Sequence, residues 1–420
     1  MAQPNLHVCI VGAGIVGLAS SILLLRDGFK VTLLEKDGSL QRSAAGIQLH
    51  PNALRVLQDL GVYDKVQERS VLIRSIDLRQ YATGETLHSQ DLRPLQERYG
   101  APVVAVHRAF LRQVLYEEAV ARGANVRLGT AVKMEASDLE HGVLKISDSE
   151  SISAALFIGA DGANSALREA VTGRKLKLIP HGFVVYRILI EESLIQAQPR
   201  LRHLIEAPII TAWLGPKSQA ITYSLHGLFN IAFTRPWSEE PFYTPQKGDL
   251  DRFRAELKAE GWATELQELI ELATECHRWM FIEPEIDDEN TPWVDRSGKF
   301  CIAGDAAHQT LPAQGAAMGL ESALTLVHVL KNARGHAQIG AALGVYETLR
   351  KERSARIIRA SLKNGRLWQL PNGPLQQERD RELLNDTPSA GFPNLLADPF
   401  FQEWLWGFDA TKAVDEASKV

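Results

Sequence analysis

Three glycines near the start of the chain, Gly12, Gly14 and Gly17, have GxGxxG spacing between an apolar run and a helical pattern. Such a loop lets the backbone approach a pyrophosphate, and the free N–H groups at the start of the following helix favour anions. Glu35 follows about twenty residues later, at the end of the next apolar run, where a carboxylate accepts hydrogen bonds from ribose hydroxyls. These residues predict dinucleotide binding, but the motif alone does not distinguish FAD from NAD.

Two later segments place an acidic residue beside a glycine. GADGANSALR (Gly159–Arg168) contains Asp161, and CIAGDAAHQTLPAQGAAMGLESA (Cys301–Ala323) contains Asp305. In isolation, an Asp-Gly pair is a common turn and Asp305 reads as a helix cap. The second segment leads into a helical pattern whose first amides, at about Gly315–Ala317, would stabilise negative charge beside them.

Taken in this order, the three segments resemble those of the class A, single-component FAD-dependent aromatic hydroxylases. That group includes para-hydroxybenzoate hydroxylase, salicylate hydroxylase and fungal phenol-dearomatising monooxygenases. The resemblance runs over most of the chain and is strongest in the three segments, where Gly304–His308 matches the family's GDAAH pattern. It implies non-covalent FAD, with NADPH or NADH docking transiently as the reductant. It also implies that O2 forms a C4a-hydroperoxyflavin, which transfers one oxygen atom to an electron-rich phenolic or indolic substrate, a chemistry of secondary metabolism.

The resemblance also assigns site residues. Those assigned to FAD are Gly12, Gly14, Gly17, Glu35, Lys36, Ala45, Gly46, Arg108, Asp161, Asp305, Gly315 and Ala316. Arg187 and Tyr223 correspond to an arginine and a tyrosine that bind phenolate substrates in the dearomatising relatives, so they are the candidate catalytic residues. A cation there would favour the deprotonated phenol. The alternative is a sheet arginine paired to an acid and a strand tyrosine with a buried hydroxyl.

The segments leave several alternatives. Arg168 is expected to bind a phosphate or to pair with a carboxylate. The loop after His308, which contains Pro312, is shorter than the family pattern, and Ser322 stands where the family commonly has an aspartate. The alternative functions are epoxidation of an indole or olefin with rearrangement, a flavin oxidase without oxygen insertion, and a non-catalytic FAD-fold binding protein.

The composition excludes other classes of protein. A formal net charge of −5 argues against a nucleic-acid partner. The three cysteines, Cys9, Cys276 and Cys301, lack CxxC spacing, so we expect no metal site and no disulfide framework. The sequence has no second GxGxxG motif for a separate NAD(P)H domain and no apolar stretch of membrane-spanning length. We therefore expect a cytoplasmic monomer or homodimer.

A chain of 420 residues is too long for one core, so more than one lobe is expected. We predict an α/β fold: a three-layer, Rossmann-like FAD-binding domain of the glutathione-reductase type, an inserted antiparallel-sheet substrate domain, and a helical C-terminal region. The predicted boundaries are 1–75, 101–172 and 286–340 for the FAD-binding domain, 76–100 and 173–285 for the substrate domain, and 341–420 for the C-terminal region and tail.

Three patterns give finer predictions. Residues from Val126 to Ile158 alternate between apolar and polar, which indicates antiparallel strands. Residues from Leu250 to Glu275 have the spacing of an amphipathic helix. The tail after Pro371 is rich in loop-forming residues and carries an aromatic cluster, including Trp404 and Trp406, which we interpret as packing.

Overall fold

The computed structural model describes residues 6–40, 45–132, 142–147, 149–174, 176–284, 291–309, 314–331, 333 and 336–419. The strands within these residues are, in chain order, β1 His7–Val11, β2 Lys30–Leu34, β3 Gly46–Leu49, β4 Ser70–Leu72, β5 Ser75–Gln80, β6 Thr86–Asp91, β7 Val104–His107, β8 Asn125–Arg127, β9 Val143–Ser147, β10 Glu150–Ser153, β11 Leu156–Gly159, β12 Leu178–Glu191, β13 Ile209–Gly215, β14 Ser218–Leu225, β15 Leu228–Pro236, β16 Gln246–Lys247, β17 His277–Pro284 and β18 Phe300–Ile302.

The helices within the same residues are, in chain order, α1 Ile15–Arg26, α2 Pro51–Asp59, α3 Tyr63–Gln67, α4 Leu95–Tyr99, α5 Arg108–Ala121, α6 Ala166–Thr172, α7 Glu192–Gln196, α8 His203–Glu206, α9 Leu250–Ala259, α10 Thr264–Glu271, α11 Gly315–Leu330, α12 His336–Trp368, α13 Pro374–Leu383, α14 Pro399–Trp406 and α15 Ala410–Ala417. A single 3₁₀ turn, Gly304–Ala306, follows β18.

A parallel sheet with the order β18-β11-β1-β2-β8 forms the first layer of the site. Its central strands are apolar and almost wholly buried, as expected where both faces of a parallel sheet are covered. Residues of α1, α5 and α11 share its core. The predicted Rossmann-like core is thereby confirmed.

A larger sheet with the order β16-β17-β12-β15-β14-β13-β5-β6 lies opposite. Its pairs are antiparallel except for β5 and β13, which run parallel. Because strand side chains alternate between faces, Tyr186 and Phe233 pack on one face with Phe253 of α9. Arg187 projects from the other face, which turns toward the parallel sheet. The inserted antiparallel sheet is thus confirmed as well.

The expectation of antiparallel strands between Val126 and Ile158 is only partly right. β9 and β10 do form an antiparallel hairpin. In contrast, β8 pairs with β2 and β11 pairs with β1, both in parallel. Alternating hydrophobicity reports which faces are buried and does not report the direction of the neighbouring strand, so the two cases look alike in the sequence.

The helical predictions need two corrections. The stretch from Leu250 to Glu275 is two helices, because the chain turns at Gly261 with φ +71°. The tail contains α13, α14 and α15, with a proline in the first turn of α13 and side-chain caps from Asp398 and Asp409 on the other two. The packing interpretation of the aromatic cluster is confirmed by Trp406, which is fully buried and stacks on His50 with ring centroids 5.4 Å apart.

In the part of the chain that the structure describes, none of the helices combines the length and apolar character needed to cross a membrane. No group of three or more potential metal ligands occurs among the same residues.

Candidate active site

A cavity of about 560 Å³ separates the carboxyl ends of the parallel strands from the larger sheet. Strand ends of this kind are the usual ligand position in open α/β sheets. The predicted site residues in its wall are Gly12, Gly14, Glu35, Lys36, Ala45, Gly46, Arg108, Asp161, Arg187, Tyr223, Asp305, Gly315 and Ala316. We call this space the first cavity. The three sequence segments, which are far apart in the chain, therefore meet in one place.

The glycine loop has the geometry that its spacing predicted. Gly12 has φ +103°, and a Cβ there would lie 2.4 Å from the carbonyl oxygen of Ala160. Gly17 does not line the cavity. A Cβ on it would lie 2.0 Å from the carbonyl oxygen of Gly12, so Gly17 acts by letting α1 approach the loop. Gly14 precedes α1 with no side chain capping the helix, which leaves the first amides of α1 beside the cavity.

Glu35 braces this loop. Its carboxylate accepts hydrogen bonds from the N–H of Ala13 at 3.0 Å and of Asp37 at 3.1 Å, and from the guanidinium of Arg112 at 2.6 Å. The Nε of Arg112 also donates to the carbonyl of Ala13 at 2.6 Å. Arg112 was missed in the sequence, although it follows Arg108 by four residues, which places the two on one face of α5.

Asp305 presents a carboxylate to the first cavity. Burial raises the pKa of its carboxyl, while the charges of Arg108 and Arg168 oppose that rise. No hydrogen bond to this carboxylate occurs from the side chains or main chain of the described residues, so it is available to hydroxyl donors. The neighbouring Gly304 allows close packing, because a Cβ there would lie 2.6 Å from a methyl of Val16 in α1.

Asp161 and Arg168 have local partners. Asp161 accepts from the Ser165 hydroxyl at 2.5 Å and from the N–H of Ala166 at 2.8 Å, and so caps α6 from the edge of the cavity. The guanidinium of Arg168 donates to the main-chain carbonyls of Asp305, Ala306 and Ala163. These carbonyls take the place of the predicted phosphate or carboxylate. Arg168 thus ties the second segment to the third.

The N-terminus of α11 also opens on the first cavity. Gly315 and Ala316 line the wall, and the first helical hydrogen bond is donated by Met318 to the carbonyl of Gln314 at 2.8 Å. Because no side chain of the described residues caps this end, its first amides can serve a ligand. Two helix N-termini, a free carboxylate and Glu35 therefore surround one space, an arrangement that suits the diphosphate, polyol and ring system of FAD.

The larger sheet supplies the opposite wall. Arg187 on β12 pairs with Ala232 on β15, which pairs with Ile221 on β14, two residues before Tyr223. Arg187 and Tyr223 therefore project from one face, with β15 between their strands. The alternative of an arginine paired to an acid finds no support among the described residues, where the Arg187 guanidinium has neither an ion pair nor a hydrogen bond. A Cβ on Gly46 would lie 3.0 Å from the Tyr223 hydroxyl, so the start of β3 passes close to this wall.

These two side chains influence each other's protonation. Burial lowers the pKa of Arg187, with the Tyr223 hydroxyl opposing the change and the charge of Arg108 adding to it. Burial raises the pKa of Tyr223 to about 12, against the effect of the Arg187 charge. At neutral pH the wall therefore carries a cation beside a protonated hydroxyl.

A second cavity, of about 370 Å³, continues along the same sheet face. It shares Gln48, Gln219, Ile221 and Thr234 with the first cavity, and its far side is formed by the last turns of α12 and by the C-terminal segment. No local pattern in the sequence indicates this cavity, because its lining comes from elements that are distant in the chain.

Behind α11 lies a buried polar cluster. The Ser322 hydroxyl lies 2.8 Å from Nε2 of His308 and accepts from Nε of Arg350 at 3.0 Å, so the serine at this position keeps contacts of its own. Burial, aided by the charge of Arg350, lowers the pKa of His308 to about 3. His308 is therefore neutral at physiological pH. The shortened part of the following loop, including Pro312, falls outside the described residues.

Comparison with known proteins agrees with this geometry. A family model described as an FAD binding domain matches residues 5–361. The FAD-dependent monooxygenase OpS4 of Beauveria bassiana is 29% identical over 423 residues, covering 98% of this chain and 97% of its own. The 3-amino-4-hydroxybenzoate 2-monooxygenase PtnB3 of Streptomyces platensis is 33% identical over 415 residues, covering 96% of each chain.

Among solved structures, the fold is similar to that of CtdE in complex with FAD and a substrate. The TM-score is 0.82 at 20% sequence identity, and the match covers 99% of this chain and 98% of that one. At this level of identity the match concerns the fold.

Proposed function

The chain belongs to the FAD binding domain family and is an FAD-dependent monooxygenase, and we propose that it inserts one atom of O2 into an electron-rich aromatic ring of the phenolic or indolic type. NADPH or NADH supplies the electrons in this proposal. We further propose that the protein acts in the cytoplasm as a monomer or homodimer.

The observation that carries the proposal is the position of Arg187 and Tyr223. They stand on the sheet wall of the first cavity, across from the strand ends that carry the glycine loop, Asp161 and Asp305. The residues of those strand ends would hold FAD, together with Glu35, Lys36, Ala45, Gly46, Arg108 and the amides of Gly315 and Ala316. Bound FAD supplies reducing electrons and the activation of O2.

Arg187 and Tyr223 on the sheet wall would activate the aromatic ring of the substrate. The Arg187 guanidinium has no anionic partner among the described residues and would stabilise a phenolate, which makes the ring carbons more nucleophilic. Because the pKa of Tyr223 lies at about 12, its hydroxyl stays protonated and can donate a hydrogen bond to the same oxygen.

The test is consumption of NADPH and NADH by the purified yellow protein across a panel of phenols and indoles under ¹⁸O₂. We expect substrate-stimulated turnover and a product that carries one heavy oxygen atom. Stoichiometric peroxide release without label would indicate an oxidase, and an epoxide-derived product would indicate the epoxidase alternative. If no compound stimulates turnover or acquires label, the proposal is wrong.

A further inference from the structure

The second cavity narrows the class of substrate. Resting on the proposed function, we infer that this cavity binds an uncharged, apolar extension of the substrate, attached to the ring that reacts beside Arg187. The substrate is then a phenol or indole larger than one ring, without a carboxylate on the extension.

The size of the space supports this inference. Its volume is about 370 Å³, whereas a buried protein cavity of roughly 150 Å³ is enough to hold benzene. A single-ring substrate in the first cavity would leave the second one empty. Apolar space of this size, joined to a candidate active site, is a common form of small-molecule pocket.

The chemistry of the walls indicates what fills the space. The sheet side carries Ile76, Ile210 and Ala212, and the opposite side carries Ile357 and Trp368 of α12. In the described part of this lining, the side chains able to carry a charge are His181 and Arg366, and Arg366 is exposed. His181 is half-buried, so the described lining holds no fully buried and permanently charged cation to offset a carboxylate. Burying such an anion alone is costly.

Neutral polar groups stand where the two cavities join. Gln219 borders both cavities and Gln314 borders the second, and both side chains are buried. Their Oε1 atoms have no hydrogen-bond partner among the described residues. The same is true of the Nε1 of Trp368, farther along the second cavity. Buried polar atoms without partners are uncommon, and uncharged groups of a ligand, such as a hydroxyl, an indole N–H or a carbonyl, would satisfy them.

The hydroxybenzoate monooxygenase among the relatives has a named substrate that is a single ring with a carboxylate. In the present chain a benzoate would have to place its carboxylate at Arg187 in the first cavity. It would then gain nothing from the apolar walls of the second.

The experiment measures equilibrium binding to the oxidised holoenzyme, by the change in flavin fluorescence, for 4-alkylphenols from methyl to hexyl and for 4-hydroxybenzoate. We expect the Kd to fall roughly fourfold per added methylene until the cavity is full. We also expect 4-hydroxybenzoate to bind more weakly than the longer alkylphenols. An affinity that does not depend on chain length, or a preference for the benzoate, would overturn the inference.

Two variants on α12 localise the effect. Ala360 lines the second cavity, so Ala360→Phe should abolish the dependence on chain length while the protein still retains FAD. Lys363 is exposed on the same helix, and Lys363→Leu should keep the dependence. An unchanged dependence in Ala360→Phe places the extension elsewhere and refutes the inference.

Because binding is measured without turnover, the two proposals fail separately. Binding that depends on chain length, without incorporation of ¹⁸O, would contradict the proposed function alone. Incorporation of ¹⁸O into phenols, with a Kd that does not depend on chain length, would contradict the present inference alone.

Discussion

The guanidinium of Arg112 and the carboxylate of Glu35 form an ion pair across 2.6 Å behind the glycine loop. The guanidinium of Arg112 also donates a hydrogen bond to the carbonyl of Ala13, and the carboxylate of Glu35 accepts one from the N–H of Ala13. The residue between the first two glycines of the motif is thus held on both sides. The carboxylate at the end of β2 therefore orders the loop itself, and so has a second role beside the predicted contact with a ribose.

Replacing Arg112 should loosen the loop. Arg112→Met removes three charge-assisted hydrogen bonds, to Glu35, Ala13 and Leu40, and leaves Glu35 without its cation. The expected loss is about 2 kcal/mol, or about thirtyfold in FAD affinity. The measurement is the ratio of flavin to protein after dialysis, with a titration of FAD into the apoprotein. Arg122→Met is the matched control, because Arg122 lies at the end of the same helix and pairs with Glu118 away from the cavity. Equal FAD affinity in the two variants would contradict the role of Arg112.

FAD binding should depend more strongly on Asp305 than on an acidic residue outside the first cavity. Its carboxylate faces the first cavity without a partner among the described residues, so hydroxyl groups of the cofactor are its natural donors. Asp305→Ala should purify with little FAD, and its affinity should fall by about tenfold or more. Asp415→Ala, which removes an exposed acid bonded to His328, serves as the control. Full yellow occupancy in Asp305→Ala would refute the assignment.

What the sequence could predict depended on local backbone requirements. The glycines of the first loop must adopt conformations or contacts that other residues cannot, as Gly12 and Gly17 show. Their spacing therefore predicts the loop without a structure. Asp161 and Asp305 each stand beside a glycine at a strand end, and their roles were assigned through the resemblance of their segments to the hydroxylase family. Such signals fixed the parallel core and one side of the site.

The remaining features are set by contacts between distant parts of the chain. Arg168 reads as an anion binder in isolation, yet two of its three carbonyl partners, at Asp305 and Ala306, are more than a hundred residues away. The direction of β8 and β11 depends on neighbours that the alternating pattern does not identify. The second cavity forms only where the C-terminal segment folds back against the larger sheet, and no local pattern in the sequence predicts that contact.

Arg187 and Tyr223 should affect turnover without affecting FAD content. Arg187→Met should lower kcat/KM for a phenol by about 10²-fold or more, and Arg187→Lys should recover part of it, because the charge then remains without its planar geometry. Arg235→Met is the control, since Arg235 is a sheet arginine that pairs with Glu256 and Glu260. Comparable losses in both variants would mean that any arginine of this sheet serves the same structural purpose.

Tyr223 should show its role in a pH profile. Tyr223→Phe removes one hydrogen-bond donor and should lower kcat/KM by about tenfold. Burial raises the pKa of Tyr223 to about 12, so the hydroxyl is protonated throughout the accessible range. The ratio of wild-type to variant activity should therefore stay constant between about pH 6 and pH 10. A ratio that changes across this range would show that Tyr223 ionises during turnover.

Two buried histidines should make the protein sensitive to mild acid. Burial lowers the pKa of His50 to about 4, and burial together with Arg350 lowers that of His308 to about 3. The unfolded chain takes up these two protons near pH 6.5, whereas the folded chain does not, so the free energy of unfolding falls as pH drops. The expected loss between pH 7 and pH 5 is about 4 kcal/mol for the pair.

Urea unfolding at both pH values measures this loss. His308→Asn should reduce the difference by about 2 kcal/mol, because the contribution of this one histidine is lost. His226→Asn, at the exposed turn between β14 and β15, should leave the difference unchanged. The window lies above the range in which Glu321 takes up a proton in the unfolded chain, so this carboxylate does not obscure the result.

In the polar cluster behind α11, the buried carboxylate of Glu321 should help to hold this helix in place. Glu321 binds Arg350 at 2.8 Å and Arg353 at 2.7 Å, and all three side chains are buried. Burial alone would raise the pKa of Glu321, but the two guanidinium groups outweigh it and hold that pKa at about 2. Glu321→Gln leaves two buried cations without their anion and should lower the free energy of unfolding by about 3–5 kcal/mol. Glu416→Gln, which weakens only an exposed pair with Lys412, should change it by less than about 1 kcal/mol. Similar urea midpoints for the two variants would show that α11 is held by its apolar packing alone.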